Sequence, residues 1–207
     1  MTAGAEAGHT ARTEAGTGTL AVTGDEAADR LLNTDPLALL LGMLLDQQIP
    51  MEWAFMGPHR LVERLGAELD AADISERDPD DFAALVRTKP ALHRFPGSMA
   101  KRMQDLCRHV ADRYGGDAGA VWNAAATGED LFRRLRDLPG YGDEKARILT
   151  AVLAKRFDVR PDGWEVQAGS FADSEPRSVA DIDSPESLQR VRAWKKQQKA
   201  LGRRKDE

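Results

Sequence analysis

The sequence is poor in cysteine and in aromatic residues, and it has no long apolar run. Cys107 is the only cysteine among 207 residues, which excludes an intramolecular disulfide, a cysteine-rich zinc site and a four-cysteine iron–sulfur cluster. Aromatic residues make up 6% of the chain, so aliphatic side chains must form the core. Because no stretch of 18 apolar residues and no basic-then-apolar leader is present, we expect a cytoplasmic protein without a transmembrane segment.

The charge is unevenly distributed along the chain, whose formal net charge is −5. Residues 190–207 carry eight basic and two acidic side chains, whereas residues 25–189 carry 20 basic and 30 acidic ones. An acidic body is a poor non-specific binder of nucleic acid, and a nucleic-acid-binding function has to overcome this repulsion. The basic end is typical of a solvated helix terminus, or else it reaches DNA phosphates that the acidic body repels.

The pattern along the chain is helical after an unpatterned start. Residues 1–24 are mostly Ala, Gly and Thr without helical period, which predicts a disordered tail. Apolar residues then recur at helical spacing, and no alternating strand pattern of useful length occurs. We therefore predict an all-α fold of eight to ten helices, with a helical domain over 25–184 and a basic C-terminal helix or tail over 185–207. Cys107 lies on an apolar helix face, which predicts a buried, inert thiol.

The most informative segment is a short turn between two amphipathic helices, Leu138-Pro139-Gly140-Tyr141-Gly142. Gly140 and Gly142 allow positive φ and close approach by another backbone. They also leave the first amides of the following helix uncovered, and these N–H groups together with the helix dipole form an anion site suited to one phosphate. The helix-hairpin-helix, predicted over about 129–157, would thus grip a nucleic-acid backbone without reading bases.

The alternative interpretation is a helical hairpin whose glycines are only caps. Asp143 and Glu144 fit this alternative, because they suit a helix N-terminus but would repel a nearby phosphate. Lys145 and Arg147 partly offset them. So do three basic residues of the preceding helix, Arg133, Arg134 and Arg136.

The turn and its helices resemble the helix-hairpin-helix of the HhH-GPD superfamily of base-excision DNA glycosylases. Two more segments match. The run from Asp35 to Gln48 is similar to the family's early helix, which ends in a Gln-containing turn. Asp162 lies 18 residues after Glu144, close to the spacing at which the family places an essential Asp. Together the matches span roughly 30–165, and they imply two helical halves around a cleft.

The resemblance implies a glycosylase that pulls its target nucleotide out of the duplex. Gln48 would fill the vacated stack, the alternative being a helix-cap side chain. Asp162 would stabilise the positive charge that develops on the sugar and activate water, the alternative being a turn residue in Pro-Asp-Gly. Asp158 and Asp46 are reserve carboxylates. A non-catalytic DNA-binding module and an interaction protein with a merely structural hairpin are the other functions considered.

Two departures from the family pattern bear on the chemistry. Bifunctional members place a lysine two residues after the second hairpin glycine, and here that position holds Glu144. Lys145 is one residue later and is therefore rotated about 100° around the helix. The resemblance thus implies a monofunctional, water-using glycosylase without strand cleavage. The second departure follows Asp162, where residues 163–169 differ from the sequence that usually follows the essential Asp of the family.

Other assignments complete the predicted site. DNA contacts are predicted at Gly140, Tyr141, Gly142, Lys145 and Gln48, although Tyr141 would alternatively pack on a neighbouring helix. A base pocket is predicted at Gln47, Trp53 and Trp164, with core packing as the alternative for both tryptophans. Double-stranded DNA is the expected partner of a monomer, with a structural monovalent cation at the hairpin. No cofactor or metal is expected, since His59, His93 and His109 lack metal-ligand spacing.

Overall fold

The computed structural model describes residues 18–202, and over these residues the chain is helical without β-strands. The predicted all-α fold is thereby confirmed. Two short 3-10 helices cover Gly169–Ala172 and Val179–Asp181. The eleven α-helices found within 18–202 are α1 (Glu26–Thr34), α2 (Pro36–Leu45), α3 (Met51–Leu65), α4 (Ala71–Glu76), α5 (Pro79–Arg87), α6 (Pro96–Tyr114), α7 (Ala120–Asn123), α8 (Gly128–Arg136), α9 (Asp143–Arg156), α10 (Trp164–Ala168) and α11 (Pro185–Ala200).

Helix α2 forms the buried centre of the first part of the molecule. All its residues from Leu37 to Leu45 are buried, so the apolar stripe seen in the sequence widens into a helix without an exposed face. The helix begins at Asp35, whose carboxylate accepts from the amides of Leu37 and Ala38. Neighbouring helices approach it closely, since a Cβ on Gly57 of α3 would lie 2.4 Å from Leu45 Cδ1. Because α2 is buried on every side, its C-terminal end is held in a fixed position.

The other helices pack around α2 and around the hairpin. Helix α2 packs against α1, α3 and α6, while the long helix α6 also packs against α4 and α5. Helices α8 and α9 pack against each other, and α10 packs against both. Cys107 of α6 is buried, and burial raises the pKa of its thiol to about 12. None of the helices within 18–202 has the length and apolar character needed to cross a membrane.

The first described residues, 18–24, pack onto the helical body. Residues 18–24 were expected in the disordered tail, but Leu20 and Val22 are buried there. Asn33 holds this segment, because its side chain accepts from the Leu20 amide and donates to the Leu20 carbonyl, each at 2.8 Å. Two apolar residues are too few to show a period, so the packing of this segment was not predicted. Residues 1–17 of the predicted tail lie outside the described residues.

We expect Asn33→Ala to detach residues 18–24 from the body. Both polar backbone groups of Leu20 lose their partner, which should lower the free energy of unfolding by about 1–3 kcal/mol. Native-state hydrogen exchange should show faster exchange of the Leu20 amide than in the wild type. Thr34→Ala, an exposed neighbour on the same helix, is the control, and equal Leu20 protection in both variants would contradict this account.

Candidate nucleic-acid interface

The turn between α8 and α9 is exposed at both glycines, but only one of them needs to be glycine for the fold. Gly140 adopts φ +83°, in the left-handed region that favours glycine. A Cβ there would also lie 2.5 Å from Leu44 Cδ1 of α2. Gly142 has an extended backbone with φ −117°, and the space around it is open. The positive φ expected at both positions therefore occurs only at Gly140.

Three backbone amides of the turn are available to an external anion. No side chain caps the N-terminus of α9. Among the described residues, the N–H groups of Gly140, Gly142 and Asp143 donate to no other group of the protein. The fourteen residues of α9 add the positive end of the helix dipole. Uncovered amides at a helix start are a suitable site for one phosphate group.

The charges around the turn balance. Residues 128–147 carry five basic and five acidic side chains. Asp143 is paired with Arg136, whose Nε lies 3.0 Å from the carboxylate. Arg134 and Arg133 both bind Asp130, and the hydrogen bond from Arg134 is the main reason that the pKa of Asp130 falls to about 2. Asp143, the first residue of α9, is therefore matched by an arginine of α8, and the formal charge of residues 128–147 is zero.

Tyr141, at the tip of the turn, points into the protein. Its ring is buried, and its hydroxyl donates to the carbonyl oxygen of Leu40 in α2 at 2.7 Å. Burial raises the pKa of this phenol well above its ordinary value. The structure thus places Tyr141 in a helix contact, which is the alternative to the predicted DNA contact.

Lys145 fastens the start of α9 to the end of α2. Its ammonium donates to three carbonyl oxygens at the α2 C-terminus, those of Met43, Leu44 (3.2 Å) and Asp46 (3.0 Å). These carbonyls have no partner within their own helix, and a cation there also faces the negative end of the helix dipole. Lys145, predicted as a DNA contact, lies in the junction between the two helices.

Gln48 follows α2 in an exposed and strained turn. It is a non-glycine residue with φ +57°, a left-handed conformation that costs on the order of 1 kcal/mol. Over residues 18–202 its side chain forms no hydrogen bond. The helix-cap role considered for Gln48 is instead filled by Gln47, whose Nε2 donates to the Leu44 carbonyl at 2.7 Å. The Gln48 side chain is therefore presented to solvent.

Gln47 connects the turn to the other half of the fold. Its side-chain oxygen accepts from Arg102 of α6 at 2.8 Å, and its backbone carbonyl lies 2.8 Å from His93 Nε2. Both ends of its amide are occupied by protein groups, since Nε2 caps α2. The predicted base-pocket residue thus holds the turn in place.

The segment before α6 contributes residues that the sequence analysis missed. His93 is only 2% exposed, and its Nδ1 accepts from the amide of Phe95 at 3.0 Å. Nε2 must therefore carry the ring hydrogen and donate to Gln47. Phe95 is 47% exposed, with the Arg94 guanidinium carbon 4.7 Å from its ring centre. An exposed aromatic ring stacked with arginine is typical of surfaces that bind unpaired bases.

Trp53 belongs to the same region. Its indole Nε1 donates to the Ala91 carbonyl at 2.8 Å, so the half-buried ring ties the start of α3 to the segment that carries His93 and Phe95. The signal available in the sequence was the run His93-Arg94-Phe95 directly before a long helix. It was not used because neither an apolar period nor a metal spacing marks it.

Asp162 lies at the other end of the hairpin. Its side chain is exposed, and its carbonyl accepts from the Gly128 amide at the start of α8 at 2.8 Å. A Cβ on Gly128 would lie 2.5 Å from the Trp164 amide, so this loop presses against α8. Trp164 is half-buried against the core. The nine residues of α8 span roughly 13 Å, which separates the Asp162 loop from the glycine turn.

An exposed two-glycine turn with bare amides between two helices, on an all-α frame, is typical of a helix-hairpin-helix protein. The model of one family, described as HhH-GPD superfamily base excision DNA repair protein, matches residues 41–206. The chain therefore belongs to this superfamily. The match includes the Gln47–Gln48 turn, the hairpin and α11. A search of the curated proteins finds no match.

Lys145→Met should weaken the junction between α9 and α2. The carbonyls at the end of α2 lose a charged donor, and the free energy of unfolding should fall by about 1.5–3 kcal/mol, measured by urea denaturation. Arg147→Met, on the exposed side of the same helix, should change it by less than about 0.5 kcal/mol. A Lys145→Met protein as stable as the wild type would show that the junction does not need the ammonium.

Proposed function

We propose that this protein is a monofunctional DNA glycosylase, which turns a damaged base out of the duplex and hydrolyses its N-glycosidic bond. The observation that carries the proposal is that Lys145 joins the glycine turn to the end of α2, which the exposed Gln48 turn follows. The exposed amides of Gly140 and Gly142 lie on one side of the Lys145 junction, and the exposed Gln48 turn follows the same helix end. A contact with rigid duplex DNA requires such a fixed arrangement.

Each element has a role in this proposal. The amides of Gly140, Gly142 and Asp143 hold one backbone phosphate. Gln48 enters the base stack where the target nucleotide leaves, and its side-chain amide meets the orphaned base. Phe95, steadied by the Arg94 guanidinium, stacks on a base beside it. Binding energy from these contacts offsets the cost of unstacking the target, which is a few kcal/mol.

The hydrolysis itself needs a carboxylate. Asp162 accepts a proton from the attacking water while its charge stabilises the oxocarbenium character of the sugar. The new bond forms between the water oxygen and C1′. The bond from C1′ to the base nitrogen breaks, and the base leaves with the electron pair and takes up a proton from water. Two residues are the reason that the proposed enzyme cleaves no DNA strand. Glu144 occupies the position of the lyase lysine, and the neighbouring Lys145 ammonium is engaged by the α2 carbonyls.

A second candidate function is a DNA-binding module without catalysis. The observation that favours it is the position of Asp162, which is exposed and lies at the far end of α8 from the glycine turn. Under this alternative the hairpin and the Gln48 turn bind DNA, and the Asp162 loop only closes the fold.

A panel of duplexes carrying uracil, hypoxanthine, alkylated or oxidised bases separates the two functions. We expect abasic sites in at least one duplex, and strand breaks only after added alkali. Asp162→Asn should lower the rate by about 100-fold or more with little change in DNA affinity. Glu165→Gln, an exposed carboxylate three residues away that has no role in the proposal, should keep the rate. Release of no tested base, or full activity of Asp162→Asn, would contradict the catalytic assignment.

Gly142→Ala tests the phosphate grip separately from stability. A Cβ fits the free protein, because the backbone is extended and nothing lies within 4 Å. It would occupy the space that a phosphate approaches, and loss of one such contact should weaken DNA binding about five- to tenfold. The thermal midpoint should not change. Gly140→Ala is the contrast, since strain and the contact with Leu44 should lower its midpoint. Unchanged DNA affinity in Gly142→Ala would rule out a phosphate at this turn.

A further inference from the structure

The last helix, α11, carries an uninterrupted basic stripe. Arg192, Lys195, Lys196 and Lys199 are spaced i, i+3, i+4 and i+7, so they share one side of the helix. No acidic residue occurs between Ser187 and Ala200. The apolar side of α11 is already used, because Leu188 and Val191 are buried against the body. The stripe is thus a charged surface on a helix that has no unused apolar face.

Two contacts of the stripe place it beside the Gln48 turn. Arg192 pairs with Glu52 at 2.6 Å, and Lys195 Nζ lies 3.9 Å from Met51 Sδ. Met51 and Glu52 open α3, only three and four residues after Gln48. Three residues span at most about 11 Å. The Cα atoms of Gln48 and Met51 therefore lie within the width of one DNA groove, about 12 Å. A duplex that received Gln48 would therefore bring its phosphates near α11.

The far side of α11 is fixed, so the stripe keeps this orientation. The Arg177 guanidinium lies over the Trp194 ring, 5.2 Å from its centre, and Arg177 is itself paired with Asp173 at 2.9 Å. Arg192 is paired with Glu52, whereas the exposed Lys196 and Lys199 have no ion-pair partner among the described residues. Their charge is consequently available to an external polyanion.

We propose that this stripe is a second contact for the DNA backbone, which holds the duplex beside the Gln48 turn while the hairpin holds another phosphate. This inference rests on the DNA-binding function proposed above. It explains how a chain whose residues 25–189 are strongly acidic binds a polyanion. The attraction comes from the backbone amides of an electrically neutral turn and from the basic side of α11. An anionic membrane is a poorer fit, because surface-binding helices insert an apolar face and that of α11 is buried.

The test compares the salt dependence of DNA binding among matched variants. Fluorescence anisotropy with an undamaged labelled duplex, repeated over a series of KCl concentrations, gives the slope of log affinity against log salt. Lys196→Gln with Lys199→Gln should reduce that slope by about two, since each lost phosphate contact removes about one. Arg190→Gln, an exposed charge on the opposite side of α11, should leave it unchanged. The thermal midpoints of all variants should match that of the wild type.

The outcomes separate the two proposals. If the wild type binds DNA and Gly142→Ala weakens it, but the double lysine variant has the wild-type slope, the assignment of α11 is wrong while the proposed function stands. If the wild type shows no salt-dependent DNA binding, the proposed function itself fails. Binding of phosphatidylserine vesicles that depends on Lys196 and Lys199, with an unchanged DNA slope, would overturn the inference in favour of a membrane surface.

Discussion

The arrangement of the whole candidate interface depends on the ammonium of Lys145 at the end of α2. Helix α2 is buried on every side. Gln47 Nε2 caps the Leu44 carbonyl, and the neighbouring carbonyls of Met43 and Asp46 require a further donor where the chain turns into Gln47 and Gln48. Lys145, from the first turn of α9, supplies that donor. The same contact therefore completes one helix, positions the start of another and fixes the glycine turn relative to the exposed glutamine.

Opposite charges are paired over short distances in this molecule. Most of the chain is acidic, but Asp130 at the start of α8 and Asp143 beside the glycine turn are paired with arginines of α8, and the basic residues of α11 collect on one side next to α3. Under the proposed function, long-range attraction to DNA is weak, and affinity depends on a few short contacts.

The fold was largely predictable from the sequence, and the site only in part. Apolar periodicity and the Pro-Gly turn located the hairpin helices within a residue or two, and the projecting Gln48 followed from the resemblance. The helix contact of Tyr141 was one of two alternatives that the sequence left open. The inward role of Lys145 was not predicted, because it binds backbone carbonyls about 100 residues away and carbonyls leave no mark in a side-chain pattern. The packing of residues 18–24 was not predicted for a similar reason, since it depends on the single side chain of Asn33.

The central claim is that bare amides of the hairpin turn and the Gln48 turn engage one DNA duplex together. An amide-resolved NMR titration with a short undamaged duplex tests this most directly. The account predicts that the signals of Gly140, Gly142, Asp143 and Gln48 move along one binding curve, while those of α4 and α5 stay in place. Shifts confined to other surfaces, with the signals of both turns unmoved at saturating DNA, would contradict it.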